Sequence, residues 1–508
     1  MKALQHTYTT VKERRNVKRI WLEGLKLEAS GFKKGVMFRL DFDFDSGAIE
    51  AVIDPVNGTH TVSGKLNKTT GKVTPIIDIC NADIVDVTKG ANRVRVDFYE
   101  GSFRTTINHL DLKLQAREDS LIENVNNGVV TEGTLCVGIG MATAAQHQGF
   151  SEKGIKSSVE WIVDRNRDYL QVAVNNNRAL NSDTTIIEAS LEEVEPHLLS
   201  PVNVIQVSLG CTGHSKSGIT KNKLENAESH KTDATAVFGL MRIVEQVNPA
   251  IITSENVREA QDSATYTLLR AMLETLGYII HEVVLNQEQS GAFEVRPRYW
   301  FIAISKNLPQ IDMMNVPHFA RQYETMADVY NYDNNDEWRD HKYLKEKAIR
   351  DKKAGKGFTR NLITLESTSV NTINRTYAKR QSTPPMLVRD DGMERLLDPQ
   401  EHCRVKGAPF WLVENVLFGL ATEGLGQGID YNQGRGLAQL IAAEVMQPLI
   451  GMSILDEPTA HNVIATYSVT KPLSVSVTDE VIPADVKKVL SATPLWTPTS
   501  DHILELLF

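Results

Sequence analysis

The sequence is poor in cysteine, contains no long hydrophobic run and shows no overall excess of positive charge. Its four cysteines in 508 residues match neither a disulfide framework nor the spacing of a metal site. No run of about 18 apolar residues occurs, so no membrane span is expected. The basic, polar N-terminus lacks the apolar segment of a secretory signal. We therefore expect a metal-free protein of a reducing cytoplasm.

The net charge of −9 argues mildly against a nucleic-acid partner. The charge is unevenly distributed, however. Between His341 and Gln381 there are 11 Lys or Arg against 3 Asp or Glu, so this segment carries +8 and the rest of the chain −17. Because affinity for phosphate depends on the local patch that meets it, the total charge does not exclude DNA. The composition, with 41% hydrophobic and 23% charged residues, excludes a wholly disordered, collagenous or coiled-coil protein.

The sequence pattern changes along the chain in a way that predicts about three domains. Residues 1–115 alternate polar and apolar positions between glycine turns, which predicts a β-rich domain. Residues 128–309 alternate short apolar strands with helical patterns, which predicts an α/β domain with a doubly wound, mostly parallel sheet. Residues 310–430 are polar, loop-rich and locally basic. Residues 431–460 return to an apolar helix, and 461–508 form a C-terminal extension.

A glycine turn follows the first predicted α/β strand. Gly138-Ile139-Gly140 opens a helix, where glycines allow close approach of the backbone and the helix N-terminus favours a bound polar group. Asp164 ends the next strand, where an acidic group can accept hydrogen bonds from a ribose. The two features predict a nucleotide-type cofactor site. A glycine turn and a helix-capping Asp in a non-binding domain are the alternative.

Two further features stand at the predicted carboxyl edge of the sheet, and a third precedes its last predicted strand. Cys211 lies in a small-residue loop after strand 202–208, where a thiol is placed for nucleophilic work, although most lone cysteines are buried small hydrophobes. Glu255 ends the next strand, and a carboxyl beside a thiol suits acid catalysis. Arg296 and Arg298 precede the last strand and add two cations, for which a surface salt-bridge cluster is the alternative.

The order and spacing of these motifs resemble those of DNA (cytosine-5) methyltransferases. The resemblance covers residues 128–310 well and 390–455 loosely, and it is specific because four separately weak motifs occur in one order. Supporting matches are Asp233 to Phe238, Gln246 to Pro249, Leu276 to Tyr278 and Arg395 to Glu401. The resemblance implies an enzyme with a Rossmann-like methyltransferase fold and an inserted target-recognition domain at 310–430.

The resemblance assigns a catalytic role to four residues. Cys211 would add as a thiolate to carbon 6 of cytosine, which makes carbon 5 nucleophilic. Glu255 would hydrogen-bond and protonate ring nitrogen 3. Arg298 would hold the base carbonyl, and Arg296 would orient the loop.

The implied methyl donor is S-adenosylmethionine, with S-adenosylhomocysteine as the product and no metal. It would lie over Gly138, Ile139 and Gly140, with its ribose on Asp164 and Ser190 in the same pocket.

Double-stranded DNA is the implied partner. A stacked cytosine cannot reach such a site, so the base would be flipped out of the duplex. The loop that begins near Ser215 would close over the DNA, and Lys352, Lys353 and Lys356 in the basic segment would contact phosphate. This function implies a cytoplasmic, nucleoid-associated protein, as in restriction-modification.

The N-terminal region carries a second resemblance. The stretch from Arg19 to Gly35 resembles the "WL…GF…G" stretch of SymE-like small proteins, which have a swapped-hairpin AbrB-type fold. Such a hairpin implies a homodimer. An unrelated small β domain used for packing or dimerisation is the alternative.

Several positions depart from the methyltransferase pattern. The usual Pro before the nucleophile is Gly210, the usual Phe of the glycine motif is Cys136, and the usual Gln of the arginine motif is Glu294. Ser190 or its neighbour replaces an Asp that contacts adenine, and the late Gly-Asn-x-Val-Pro motif is reduced to 434–437. The alternatives are therefore a catalytically degenerate DNA-binding or regulatory protein, an RNA acceptor, or a modified methyl donor.

Overall fold

The computed structural model describes residues 3–15, 17–69, 71–210, 231–334, 338–355, 360–381 and 383–452. These residues fall into two compact units, which divide between Ala116 and Arg117. A search of the described parts of the chain finds no helix that is long and apolar enough to span a bilayer.

The first unit is rich in antiparallel strands. Its two sheets have the orders β1-β9-β10-β5-β4-β6 and β2-β3-β8-β7, with strands β1 Gln5–Thr10, β2 Lys12–Arg14, β3 Val17–Glu23, β4 Met37–Asp43, β5 Ala48–Ile53, β6 His60–Thr61, β7 Ser63–Leu66, β8 Val73–Cys80, β9 Arg93–Tyr99 and β10 Ser102–Ile107, and helices α1 Leu25–Ala29 and α2 Asp83–Val87. The alternation in β9 buries Val94, Val96 and Phe98 in the core of this unit. The resemblance to SymE-like proteins and the homodimer that it implies stay predictions.

The second unit contains a seven-stranded sheet in the order β13-β12-β11-β14-β15-β18-β16. Its strands are β11 Val130–Leu135, β12 Ser157–Asp164, β13 Thr185–Glu188, β14 Val204–Val207, β15 Ile251–Val257, β16 Tyr278–Leu285 and β18 Arg298–Ser305, with the short β17 Glu294–Val295 outside the sheet. The pairings from β13 to β15 are parallel, and β18 is antiparallel to both of its neighbours. The predicted Rossmann-like, mostly parallel fold is confirmed. Sequence reasoning missed β16 and treated β18 as a parallel strand.

Helices cover both faces of this sheet. They are α4 Met141–Glu152, α5 Arg167–Asn176, α6 Lys231–Val247 and α7 Ala264–Thr275, with α3 His109–Asn126 before the first strand. Every residue of β18 is buried, and its side chains alternate between two hydrophobic cores: Trp300, Ile302 and Ile304 in one, Tyr299, Phe301 and Ala303 in the other. This double burial explains why the strand is a continuous apolar run.

The predicted recognition region contains short strands and helices around a separate core. They are β19 Leu362–Ile363, β20 Val370–Asn371, β21 Met386–Val388 and β22 Glu394–Arg395, with α9 Met326–Val329, α10 Lys342–Lys353 and α11 Pro399–Val405. The remaining helices, α8 Gln287–Ser290, α12 Phe418–Gln427 and α13 Tyr431–Ile441, lie outside this core. Short 3-10 and π turns lie at Pro196–Leu198, Arg258–Ala260, Met313–Asn315, Tyr377–Lys379, Phe410–Val413, Ala442–Met446 and Gln447–Leu449.

The return to the catalytic core begins before residue 431. Leu412, Ala421, Leu425 and Ile429 belong to the same core as α4 and α13, whereas Met326, Val370 and Leu397 belong to the recognition core. The range 310–430 assigned from sequence therefore contains two kinds of structure. The apolar side chains of α12 explain the difference, because they pack against the catalytic domain.

Candidate active site at the carboxyl edge of the sheet

The glycine turn after β11 has backbone conformations that favour glycine. Gly138 and Gly140 have φ angles of 56° and 81°. A Cβ on Gly140 would lie 2.4 Å from Nδ2 of Asn177, which donates a hydrogen bond to the Gly140 carbonyl at 2.9 Å. A Cβ on Gly138 would meet nothing within 4 Å. Gly140 thus allows a close contact with the next helix, and Gly138 borders open space beside the backbone.

Asp164 binds the glycine turn directly. Its Oδ2 accepts the N–H of Gly138 at 2.8 Å, and its Oδ1 accepts the N–H of Asn166 at 2.9 Å. Burial raises the pKa of Asp164, and these two backbone hydrogen bonds oppose that effect. The helix-capping role falls to Asn166, whose side chain accepts from the first turn of α5. The structure therefore brings together the glycine turn and the carboxylate that the sequence predicts as one site.

Ile139 and Ser190 contribute less directly than their neighbours. Ile139 is 2% exposed and belongs to the catalytic core, where a Cβ on Gly424 would lie 2.4 Å from it. Its side chain therefore faces the core, and only its backbone is available to the predicted cofactor. Ser190 donates through both Oγ and N–H to Oε2 of Glu193, at 2.7 and 3.1 Å.

The chemistry of this turn fits S-adenosylmethionine. The open space beside Gly138 leaves room for a ligand against the backbone, and the N-terminus of α4 at Gly140 favours a polar group. Asp164 keeps carboxylate lone pairs for hydroxyl donors, because each carboxylate oxygen can accept more than one hydrogen bond. The third strand of the site supplies Ser190 instead of a carboxylate, which removes one expected acceptor.

Glu255 and Arg298 form a buried ion pair at the same edge. Nε of Arg298 lies 2.8 Å from Oε1 of Glu255, and the side chains are 11% and 9% exposed. The antiparallel register places Val257 opposite Arg298, which brings the end of β15 against the start of β18. The alternative of a surface salt-bridge cluster is wrong for this pair, because both side chains are largely removed from water.

The loop that leads to Cys211 starts at this edge. Asn256, the neighbour of Glu255, donates from Nδ2 to the carbonyl of Leu209 at 3.1 Å. The chain is described as far as Gly210, so Cys211 and Ser215 lie outside the described residues. Asn256 thus ties the β15 end, with its carboxylate, to the segment that immediately precedes the predicted nucleophile.

Arg296 is enclosed by protein. Its side chain is 3% exposed, and its Nη1 and Nη2 donate to the carbonyls of Ile373 and Gly426, both at 3.3 Å. Nη1 also lies 3.5 Å from Oε1 of Glu294. Arg296 therefore holds backbone segments together, and its role in orienting the loop stays a prediction.

Two partners of this arginine loop have no signal in the sequence. Lys406 is fully buried, and its Nζ lies 2.6 Å from Oε2 of Glu294. Gln433 donates from Nε2 to the carbonyl of Arg296 at 3.2 Å and accepts from Nε1 of Trp300 at 2.9 Å. Glu294 was visible only as a departure from the family pattern.

The buried pair is ionised at neutral pH. Burial alone would raise the pKa of Glu294, but Lys406 and Arg296 outweigh burial and lower this pKa to about 2. Burial and the nearby Arg296 lower the pKa of Lys406 to about 8. Burial likewise lowers the pKa of the neighbouring His402 to about 3, so its ring is neutral.

The basic segment presents fewer free cations than its composition suggests. Lys352 and Lys353 are exposed in the last turn of α10, where cations also complement the helix dipole. Arg360, in contrast, forms a buried two-point ion pair with Glu394, with distances of 2.7 and 2.6 Å. Lys356 lies outside the described residues.

Comparisons with known proteins give a consistent family. The sequence model described as C-5 cytosine-specific DNA methylase matches residues 135–423, more than half of the chain. The Type II methyltransferase M1.ScrFI of Lactococcus lactis subsp. cremoris is 23% identical over 189 residues, which is 35% of this chain and 48% of that protein. The chain thus spans about half the length of this curated relative.

Two solved structures are similar at low identity. The Dnmt2 methyltransferase of S. pombe has a TM-score of 0.49 and 17% identity, covering 63% of this chain and 99% of that one. The methyltransferase EhMeth of Entamoeba histolytica has a TM-score of 0.49 and 14% identity, covering 61% and 98%.

Proposed function

Because this chain belongs to the family of C-5 cytosine-specific DNA methylases, we propose that it methylates carbon 5 of cytosine in double-stranded DNA. The proposed methyl donor is S-adenosylmethionine, and the proposed nucleophile is Cys211. The observation that carries the proposal is the Glu255–Arg298 pair, a carboxylate and a guanidinium 2.8 Å apart at the sheet edge where the loop to Cys211 begins.

The chemistry of the proposed reaction assigns the following steps to the chain. The thiolate of Cys211 forms a bond to carbon 6 of a flipped-out cytosine, and the ring electrons move towards carbon 5 and nitrogen 3. Glu255 supplies the hydrogen bond and proton at nitrogen 3. Arg298, fixed by Glu255, donates to the base carbonyl. After carbon 5 has gained the methyl group, it loses its proton, and the bond between sulfur and carbon 6 breaks to release the thiolate.

When bound, S-adenosylmethionine supplies an electrophilic methyl group. The chain's own contribution at that end of the site is positional. Gly138 and Gly140 let the backbone approach the ligand, and Asp164 holds the turn while offering carboxylate oxygens to the ribose. The buried setting of Glu255 and Arg298 keeps bulk water from the base, which strengthens both hydrogen bonds.

A methyl-transfer assay tests the proposal. Purified protein, a mixed-sequence DNA duplex and S-adenosylmethionine with a tritiated methyl group should yield label in 5-methylcytosine of the DNA. Cys211→Ser protein, in which a hydroxyl replaces the thiol with little change in size, should give no label above background. A Cys211→Ser protein that methylates at the wild-type rate would overturn the assigned nucleophile.

Further measurements separate the alternatives. A catalytically degenerate DNA-binding protein would shift the duplex in a gel but give no calorimetric signal with millimolar S-adenosylmethionine. An RNA acceptor would be revealed by label in a matched RNA, and a modified donor by the absence of label with the standard donor despite modification of cytosine carbon 5 in DNA from expressing cells.

A further inference from the structure

A fully buried lysine contacts the segment that carries both arginines of the site. Lys406 follows α11, and its Nζ lies 2.6 Å from Oε2 of Glu294, which is 1% exposed. Lysine is almost never fully buried unless it is paired. Such a pair is weak evidence for stability, because desolvation of two charges offsets much of their attraction. Its presence beside an active site therefore calls for another reason.

The second oxygen of Glu294 connects this segment to the recognition region. Oε1 accepts the N–H of Ile373 at 2.6 Å, and it lies 3.5 Å from Nη1 of Arg296. The backbone of Glu294 also pairs in parallel with Val370 of β20. One carboxylate thus joins the arginine segment, the recognition region and the end of α11.

Arg296 extends the same connection towards the reacting base. Its guanidinium binds the carbonyls of Ile373 and Gly426. Pro297 follows, whose ring fixes its φ angle, and then Arg298, which contacts Glu255. A displacement at Glu294 is therefore expected to reach the Arg298–Glu255 pair through the three intervening residues.

We propose that Lys406 is a positioning residue for methyl transfer, acting through Glu294 to hold the 294–298 segment against the recognition region. The inference rests on the proposed function. The family's usual Gln is neutral at position 294 and needs no cation, whereas the Glu of this chain does. Lys406 supplies that cation, and Arg298 is the group whose placement depends on it.

A purely structural role makes a different prediction. Either role lowers the melting temperature when one member of the pair is removed, because the other charge is left buried alone. Only a positioning role lowers kcat in protein that is still folded, while KM for S-adenosylmethionine stays unchanged. The kcat-against-KM split, measured below the melting transition of each variant, separates the two.

The experiment compares Lys406→Gln, Glu294→Gln and the double variant in the full chain. Each single variant should lower kcat by about 10- to 100-fold, the effect of a small misplacement at a reacting centre. The double variant, with two neutral amides that can still hydrogen-bond, should return to within about threefold of the wild-type kcat, a coupling that the double-mutant cycle measures. Glu394→Gln is the matched control, because it breaks the buried Arg360–Glu394 pair without touching Arg296.

The outcomes are distinct. If the wild-type protein shows no methyl transfer, both the proposed function and this inference are overturned. Active wild-type protein with a Lys406→Gln kcat equal to that of Glu394→Gln overturns the inference alone. If the single variants do not fold, the double variant decides. A kcat within about threefold of wild type in the double variant supports the pair as the positioning device. A double variant that is folded but inactive overturns the inference.

Discussion

The candidate active-site edge and the basic segment of the same unit use charged side chains in opposite ways. At the edge, Glu255 and Arg298 are 9% and 11% exposed and form a pair at 2.8 Å. In the basic segment, Lys352 and Lys353 are exposed at the end of α10. Buried charges act through fixed geometry and are little screened, whereas exposed charges act through their sum and are screened by salt. The two regions should therefore respond to different perturbations.

The same difference shows why the charge count of the basic segment is a poor measure of the positive charge on its surface. The count of +8 between His341 and Gln381 includes Arg360, which is buried against Glu394, and Lys345, which pairs with Asp340 at 2.7 Å. Asp340 precedes the counted segment and Glu394 follows it, so neither acid enters the count. Composition therefore overstates the charge that this segment offers to phosphate. Exposed lysines lie at the C-terminal turn of α10, where we expect contact with phosphate.

Loss of the buried carboxylate should have the largest effect. Glu255→Gln keeps the size of the side chain but removes the proton donor, so methyl transfer should fall by about 10²- to 10⁴-fold, as expected for general acid catalysis. Single-turnover kinetics at 50 and 200 mM salt measures the ratio to wild type, which should be the same at both. A ratio that changes steeply with salt would mean that Glu255 acts through long-range electrostatics and not as a local acid.

The cofactor turn should come next. In Gly140→Ala the new Cβ clashes with Asn177 and the φ angle of 81° is strained. We expect a loss of about 1–2 kcal/mol from the left-handed backbone alone. Because the clash displaces the turn, weaker S-adenosylmethionine binding by calorimetry should accompany it. Gly154→Ala is the control, since its φ of 77° is similar but its Cβ would meet nothing within 4 Å. Equal cofactor affinity in the two variants would contradict the role of the turn.

A pH-dependent effect, on stability and not on methyl transfer, is expected at the start of α13. Burial raises the pKa of Asp430 from 3.8 to about 6. Between these values the folded chain holds more protons than the unfolded chain, so stability falls as pH rises from about 4 to about 6, by roughly 3 kcal/mol. Asp430→Asn preserves the N-cap, because Asn caps helices as well as Asp does. Urea unfolding should show that this variant lacks the pH-dependent loss; an unchanged pH profile would place the titration elsewhere.

The exposed lysines should give the smallest effect per residue. Replacing Lys352 and Lys353 by Ala should weaken DNA binding evenly across sequences and reduce the slope of log affinity against log salt by about 1 per lysine. Lys156→Ala is the control, because this exposed lysine precedes β12 at the opposite edge of the sheet. Binding titrations at several salt concentrations measure the slope. A double variant with the wild-type slope would remove these lysines from the interface.

Sequence reasoning predicted the mostly parallel α/β fold but not the direction of every strand. The motif order groups Glu255 with Arg298, and the antiparallel direction of β18 brings the start of that strand to the end of β15, where the two side chains are in contact. The direction of β18 could not be predicted, because a run buried on both faces has no polarity in its pattern. The strand Tyr278–Leu285 was missed because His281 and Glu282 interrupt its apolar residues.

Long-range pairs were beyond the reach of the sequence. Lys406 and Glu294 are 112 positions apart, and neither belongs to a readable spacing. A lysine in a helix-terminating segment is ordinarily exposed, so burial of Lys406 could only come from the fold.

The most direct test of the central claim is base-resolution sequencing of DNA from cells that express the wild-type chain or Cys211→Ser. We predict 5-methylcytosine at a defined sequence in the wild-type sample and none in the variant. Unmodified cytosine in the wild-type sample, from protein that is soluble and folded, would contradict the proposed activity, and equal modification in both samples would contradict Cys211 as the nucleophile.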